Sequence, residues 1–198
     1  MKAVETQLAA SLLVMEASME LKLKTISQSG IPEAISKATL YRYLNEPEET
    51  ESICHDILAA DPDNQVALRM LGAAITDHFT GHTSDRCAEA ENIFQRLSDP
   101  YERQYYTGLV NERRAKAQMR IGRPPQVLVG LFKEAMRYFA EAEKIRPPEN
   151  DDAVLRWNRC VRLLESFPQI EWEQPEPTFE DHDSAPVQVI RRHSKVAR

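Results

Sequence analysis

The chain has 198 residues, of which 42% are hydrophobic, and carries a formal net charge of −6. That length and apolar content support one buried core with a tail left over, and the acidic balance argues against general attraction to nucleic acid. Only six glycines and the lack of sustained apolar alternation argue against a β-rich fold.

In chain order, residues 3–24 place Val4, Leu8, Leu12, Met15 and Met19 three or four apart, the pattern of an amphipathic helix. Within an N-terminal segment 1–30, this helix is expected to cap the first unit of the following domain. Gln28-Ser29-Gly30 breaks it, and Pro32 suits the first turn of a new helix. Ala34, Ala38 and Tyr41 share one face of that helix, Asn45-Glu46-Pro47 turns the chain, and Thr50, Cys54 and Ile57 lead to Pro62. Leu68, Leu71, Gly72 and Ile75 then mark another helix, with small Gly72 suited to a close neighbour. Thr80 to Asp85 lengthens the next turn, after which Ala90, Phe94 and Leu97 restore the earlier spacing.

Asp99 with Glu102 resembles a capping box, with Pro100 at the first helical position. A long basic helix is expected from about Pro100 to Ile121, carrying Tyr105, Leu109, Glu112 and Lys116 beside Arg113, Arg114 and Arg120. Gly122-Arg123-Pro124-Pro125 ends it. Leu128, Leu131 and Phe132 lead into Ala135, Phe139, Ala142 and Pro147, spaced by four, three and five. A final helix, Asp151 to Ser166, carries Val154, Trp157, Val161 and Leu164. Beyond it, prolines interleave with Glu171, Glu173, Glu176, Glu180, Asp181 and Asp183, and a basic RRHSKVAR closes the chain. The composition of 167–198 implies a disordered tail.

The spacing Ala135, Phe139, Ala142, Pro147 resembles the second helix of a tetratricopeptide repeat, and Leu71-Gly72 between Leu68 and Ile75 resembles the first. The segment Ile31 to Asn64 spans one repeat period, about 34 residues. Thr50 and Cys54 depart from the family's alanine and aromatic. The resemblance covers 31–166 and implies an all-α fold of antiparallel helical hairpins stacked as a short solenoid. About three hairpins and a terminal helix would close the array.

A tetratricopeptide domain binds through the concave surface lined by its first helices, so the resemblance implies a non-catalytic adaptor for an extended peptide. Carried over by spacing, the implied lining is Thr39, Arg42, Tyr43, Arg69, Ala73, Thr76 and Asp77 from the first two units. The later units contribute Arg103, Tyr106, Val110, Arg113, Arg114, Asn158, Val161 and Arg162, with Tyr105 the alternative register to Tyr106. Six arginines and the single acid Asp77 in this set point to an acidic peptide, because guanidinium groups bind carboxylates in bidentate fashion. The acidic tail, with Trp172 and Phe179, offers a contact in cis or between copies, although a plain linker is the preferred reading of its composition. Four basic residues at the end are a weak nucleic-acid footprint.

The contrasting class is a small metal-dependent or thiol enzyme built on His78, His82 and Cys87, because His78 and His82 fall four apart. Thr80-Gly81 between them opposes a continuous helix. Adjacent Cys54 and His55 diverge on a helix, and no phosphate loop, nucleophile elbow or dinucleotide fingerprint occurs. No catalytic residue, cofactor or resident metal is therefore expected. Three widely spaced cysteines, Cys54, Cys87 and Cys160, are not a disulfide framework, and no apolar run reaches the about 20 residues of a membrane span. With no secretory leader after Met1-Lys2, a cytoplasmic protein that does not enter the membrane is expected.

Overall fold

The computed structural model describes residues 21–167, which are all-helical, with no strand among them. A short 3-10 turn, Gln28–Gly30, leads into seven α-helices. These are α1 (Ile31–Tyr43), α2 (Pro47–Ala60), α3 (Gln65–Asp77), α4 (Cys87–Gln95), α5 (Pro100–Arg120), α6 (Pro125–Lys144) and α7 (Asp152–Glu165). Prolines occupy the first turns of α1, α2, α5 and α6, where a missing N–H costs no hydrogen bond. Asn64 caps α3 by accepting from Ala67 N at 3.0 Å, and Asp99 caps α5 by accepting from Tyr101 N at 2.9 Å. The capping box expected at Asp99 is half made, because Glu102 is engaged by Arg69 of α3 instead.

Each helix packs on the next, and α3 also touches both α1 and α5. The core has three parts. Ile31, Ile57 and Ala67 pack together near the start. Ala38, Cys54, Leu68, Leu71, Ile75, Phe94 and Leu97 form a second part under α1 to α4, reaching Val110 and Ala117 of α5. The opposite side of α5 gives Tyr101 and Ala115 to the third part, with Phe132, Ala135, Phe139 and Ala142 of α6 and Ala153 and Cys160 of α7. α5 therefore joins the parts, burying apolar side chains on two faces. The compact unit ends at Phe167, whose ring packs against Phe132 at 6.4 Å between centroids.

Two turns depart from simple geometry. Asn45 turns α1 into α2 with a φ of 60°, the left-handed region that asparagine tolerates better than most residues. The longer connection after α3 is held by Asp85, whose carboxylate accepts from Thr80 N at 3.0 Å, Thr80 Oγ1 at 2.9 Å and Gly81 N at 2.8 Å. Gly81 has a φ of +89°, and a β-carbon there would lie 2.6 Å from the Ala117 carbonyl oxygen of α5. The loop is thus pressed onto α5, and Gln118 Nε2 donates to Gly81 O at 2.7 Å.

The N-terminal helix expected over 3–24 lies mostly outside the described residues. Within them, residues 21–24 are not helical. Leu21 and Leu23 there are 91% and 97% exposed, so neither of these two side chains is buried against the helices that follow. The tail from residue 168 onward also lies outside the described residues.

Candidate ligand-binding face

Two neighbouring clefts meet at Asp77, the last residue of α3. The first, of about 350 Å³, is lined by Thr39, Arg42 and Tyr43 of α1, Asn45 of the following turn, and Met70 and Asp77 of α3. The second, of about 240 Å³, lies between Thr76, Asp77 and Phe79, Arg113, Lys116 and Arg120 of α5, and Arg156 of α7. The alternate helices α1, α3, α5 and α7 thus supply this face. On α5 the cations recur at three- and four-residue steps, which puts them on one side of a helix.

The charges are held in a definite order. Asp77 receives Arg42 Nε at 3.5 Å and is also paired with Arg113. Arg113 Nη1 donates to Thr76 Oγ1 at 2.9 Å and to Ala73 O at 3.3 Å. Burial lowers the pKa of the Arg113 guanidinium, with Asp77 opposing the shift and the nearby Arg42 and Arg156 adding to it. It stays protonated at neutral pH, since arginine begins so far above that range.

Beneath the second cleft, Glu112 is fully buried. It pairs with Lys116 one turn further along α5, and Arg156 Nη1 approaches its other oxygen at 3.4 Å. Burial disfavours the charge of Arg156, but hydrogen bonds to Tyr105 and Glu112 and their charges outweigh it and raise its pKa. Four cations line the cleft, against Asp77 at its edge and Glu112 below. The lining cations thus outnumber the two carboxylates by two, and Arg42, which shares Asp77 from the first cleft, adds one more positive charge. Arg120 is exposed and has no acidic partner among the described residues.

The structure sorts the residues expected to line the groove. Thr39, Arg42, Tyr43 and Asp77 come together in the first cleft, and Thr76, Asp77 and Arg113 in the second. Arg69 gives a two-bond contact to Glu102, at 2.9 and 3.1 Å, and is already neutralised. Arg103 donates to the carbonyls of Leu97 and Ser98 at 2.6 and 2.9 Å, closing the end of α4. Tyr106 stacks on Phe94 with centroids 4.6 Å apart, and burial raises the pKa of its hydroxyl. Its neighbour Tyr105 packs in the third part of the core. Ala73 and Val110 are core residues. Arg114, Asn158 and Arg162 are exposed, and Val161 is half-buried; none of the four lines either cleft.

Six lining residues were missed: Asn45, Met70, Phe79, Lys116, Arg120 and Arg156. The basic run on α5 had signalled Lys116 and Arg120. Arg156 follows from the register of α7, whose core residues are Ala153 and Cys160.

His78, His82 and Cys87, the residues of the alternative enzyme reading, sit at the end of α3, in the following loop and at the start of α4. His78 caps the end of α3, with Nδ1 3.5 Å from Glu48 Oε1, in a separate cleft lined by Glu48, Glu51, Ser52, His55 and Arg86. His82 is exposed in the loop. Cys87 is half-buried, and burial raises its thiol pKa, which disfavours the nucleophilic thiolate. Among the described residues no three His, Cys, Asp or Glu side chains are grouped to hold a metal ion. No described helix is long and apolar enough to cross a membrane. No family model, curated protein or solved structure matches the chain.

Proposed function

We propose that this chain is a tetratricopeptide-like, non-catalytic protein-interaction module that holds an extended acidic peptide across the face of α1, α3, α5 and α7. The observation that carries the reading is the pair of adjoining clefts sharing Asp77, with cations from three different helices around it. A linear partner can lie across such a face, whereas an isolated small molecule would engage one cleft. Tyr43, 86% exposed at the rim of the first cleft, gives an apolar and hydrogen-bonding contact for a peptide segment.

Repeat organisation is supported by the second helix of each pair. Thr50, Cys54 and Ile57 of α2, Ala90, Phe94 and Leu97 in and just after α4, and Ala135, Phe139 and Ala142 of α6 are all buried to within 1% exposure. The same four-then-three spacing therefore does the same packing three times, although the residue types differ. Contacts of α3 with α1 and α5 suit stacked hairpins, in which first helices form one continuous surface. The free cysteines suit the reducing cytoplasm expected for it.

The test is fluorescence anisotropy of labelled, extended Glu/Ala peptides against Lys/Ala peptides of equal length. Selective retention of the acidic set, weakening with salt and with Arg42→Glu, is the expected result. Equal binding of both sets, or none, overturns the reading.

A further inference from the structure

The cleft between α3, α5 and α7 holds more positive charge than one carboxylate needs. Arg113, Lys116, Arg120 and Arg156 line it, and the carboxylates Asp77 and Glu112 are already engaged by Arg113, Lys116 and Arg156. The lining cations outnumber these two carboxylates by two, and Arg42, also paired with Asp77, adds a further positive charge from the neighbouring cleft. A phosphate monoester approaches two negative charges at neutral pH, whereas a side-chain carboxylate brings one.

Donor capacity agrees. A guanidinium has five N–H donors and an ammonium three. Arg113 uses Nη1 toward Thr76, Ala73 and Asp77, Arg156 uses Nη1 toward Glu112 and also engages Tyr105, and Lys116 gives one bond to the same carboxylate. Among the described residues, none takes a hydrogen bond or ion pair from the exposed Arg120 fork. The ion pairs also fix Arg113 and Arg156 before any ligand arrives, which reduces the ordering cost of binding. Thr76 Oγ1 is occupied, accepting from Arg113 and donating to Ala73 O at 2.8 Å, so recognition falls to the cations.

We propose that this cleft receives a phosphoryl group carried on the bound peptide, making the module a reader of phosphorylated serine or threonine; the inference rests on the peptide-binding reading. Phosphate offers three acceptor oxygens for converging N–H donors, and arginine clusters suit that geometry. A nucleic-acid backbone would meet the net charge of −6 on the whole chain, whereas a single dianion meets only the local field.

The experiment uses the full chain and labelled peptide libraries centred on phosphoserine or phosphothreonine. Matched libraries carry Ser, Thr or Glu at the centre, and inorganic phosphate and a single-stranded oligonucleotide serve as separate probes. The phosphorylated libraries are expected to bind at least about tenfold tighter than the Glu library, a difference of about 1.4 kcal/mol. Arg120→Ala should remove most of that preference. Lys133→Ala, a like charge change on an exposed α6 residue, should not. Equal binding of Glu and phosphorylated libraries overturns phosphate recognition and leaves the acidic-peptide module standing. Binding of inorganic phosphate with no peptide of any kind overturns both. Tighter binding of the oligonucleotide than of any peptide also overturns the proposal.

Discussion

The ring of Phe139 lies directly over Gly108, where a β-carbon would stand 2.7 Å from its Cε1. The earlier helix pair repeats this, since a β-carbon on Gly72 would stand 2.5 Å from the ring of Phe94. Both rings are fully buried and cannot swing into solvent to make room. Gly72→Ala and Gly108→Ala should each destabilise the fold by about 1–3 kcal/mol, the usual cost of overpacking, despite the better helix propensity of alanine. Phe139→Ala should cost about 3–5 kcal/mol through the cavity it leaves. Urea denaturation followed by circular dichroism measures all three, and a stabilised Gly108→Ala protein would contradict the close approach.

Glu112 makes an asymmetric prediction. It is fully buried, while the side chains of its partners Lys116 and Arg156 are 23% and 34% exposed. Removing the carboxylate leaves cations that retain some water. Removing both cations leaves a charge sealed in the core, for which about 3–5 kcal/mol is the usual penalty. The double change Lys116→Met, Arg156→Met should therefore destabilise the protein more than Glu112→Gln does. Equal losses in denaturant titrations would mean that Glu112 reaches solvent in another way.

The legible part of the fold was the part that a helical period carries. Ala135, Phe139 and Ala142 occupy one face by spacing alone, and the same spacing located Thr50, Cys54 and Ile57 despite their atypical side chains. Pro100 and Gly122-Arg123-Pro124-Pro125 bounded α5 to within a residue of its observed Pro100–Arg120, because proline and glycine act locally. The site was less legible because charge pairing crosses helices. Arg69 looked available until Glu102, 33 positions away, took its guanidinium. Arg156 is oriented by Glu112, 44 positions earlier, and no local pattern encodes that meeting. Gly108 was hidden for a similar reason, since its role is defined by Phe139 and not by its own neighbours.

Asp85 should give the fold a distinct acid sensitivity. Burial acts to raise its pKa, but the hydrogen bonds from Thr80 and Gly81 prevail and hold it below the ordinary carboxylate value. Its stabilising contribution is complete above the unfolded-state value, about 3.9, and is lost as pH falls through the lower folded-state value. Asp85→Asn should lower the melting temperature at pH 7, and the gap from the parent protein should close toward pH 2. Thermal melts across that range test it. A gap that persists unchanged at the lowest pH would assign the effect to shape and not to charge.

Thiol reactivity separates a scaffold from the alternative thiol enzyme. Burial pushes the thiols of Cys54 and Cys160 up to about 12, and both are fully buried. Cys87, half-buried beside the loop, is also raised by burial, although Arg114 partly offsets the shift. Thiolate is the reacting form, so all three should label slowly in the native protein at pH 7, with Cys87 first because a reagent can reach it. Cys54 and Cys160 should react only on unfolding, at rates that track the global opening of the helices. Time-resolved alkylation read by intact mass gives the order and the number of sites. A native cysteine that labels faster than a free thiol at pH 7 would require an activated thiolate that this packing does not provide, and would favour the thiol-enzyme reading over the adaptor.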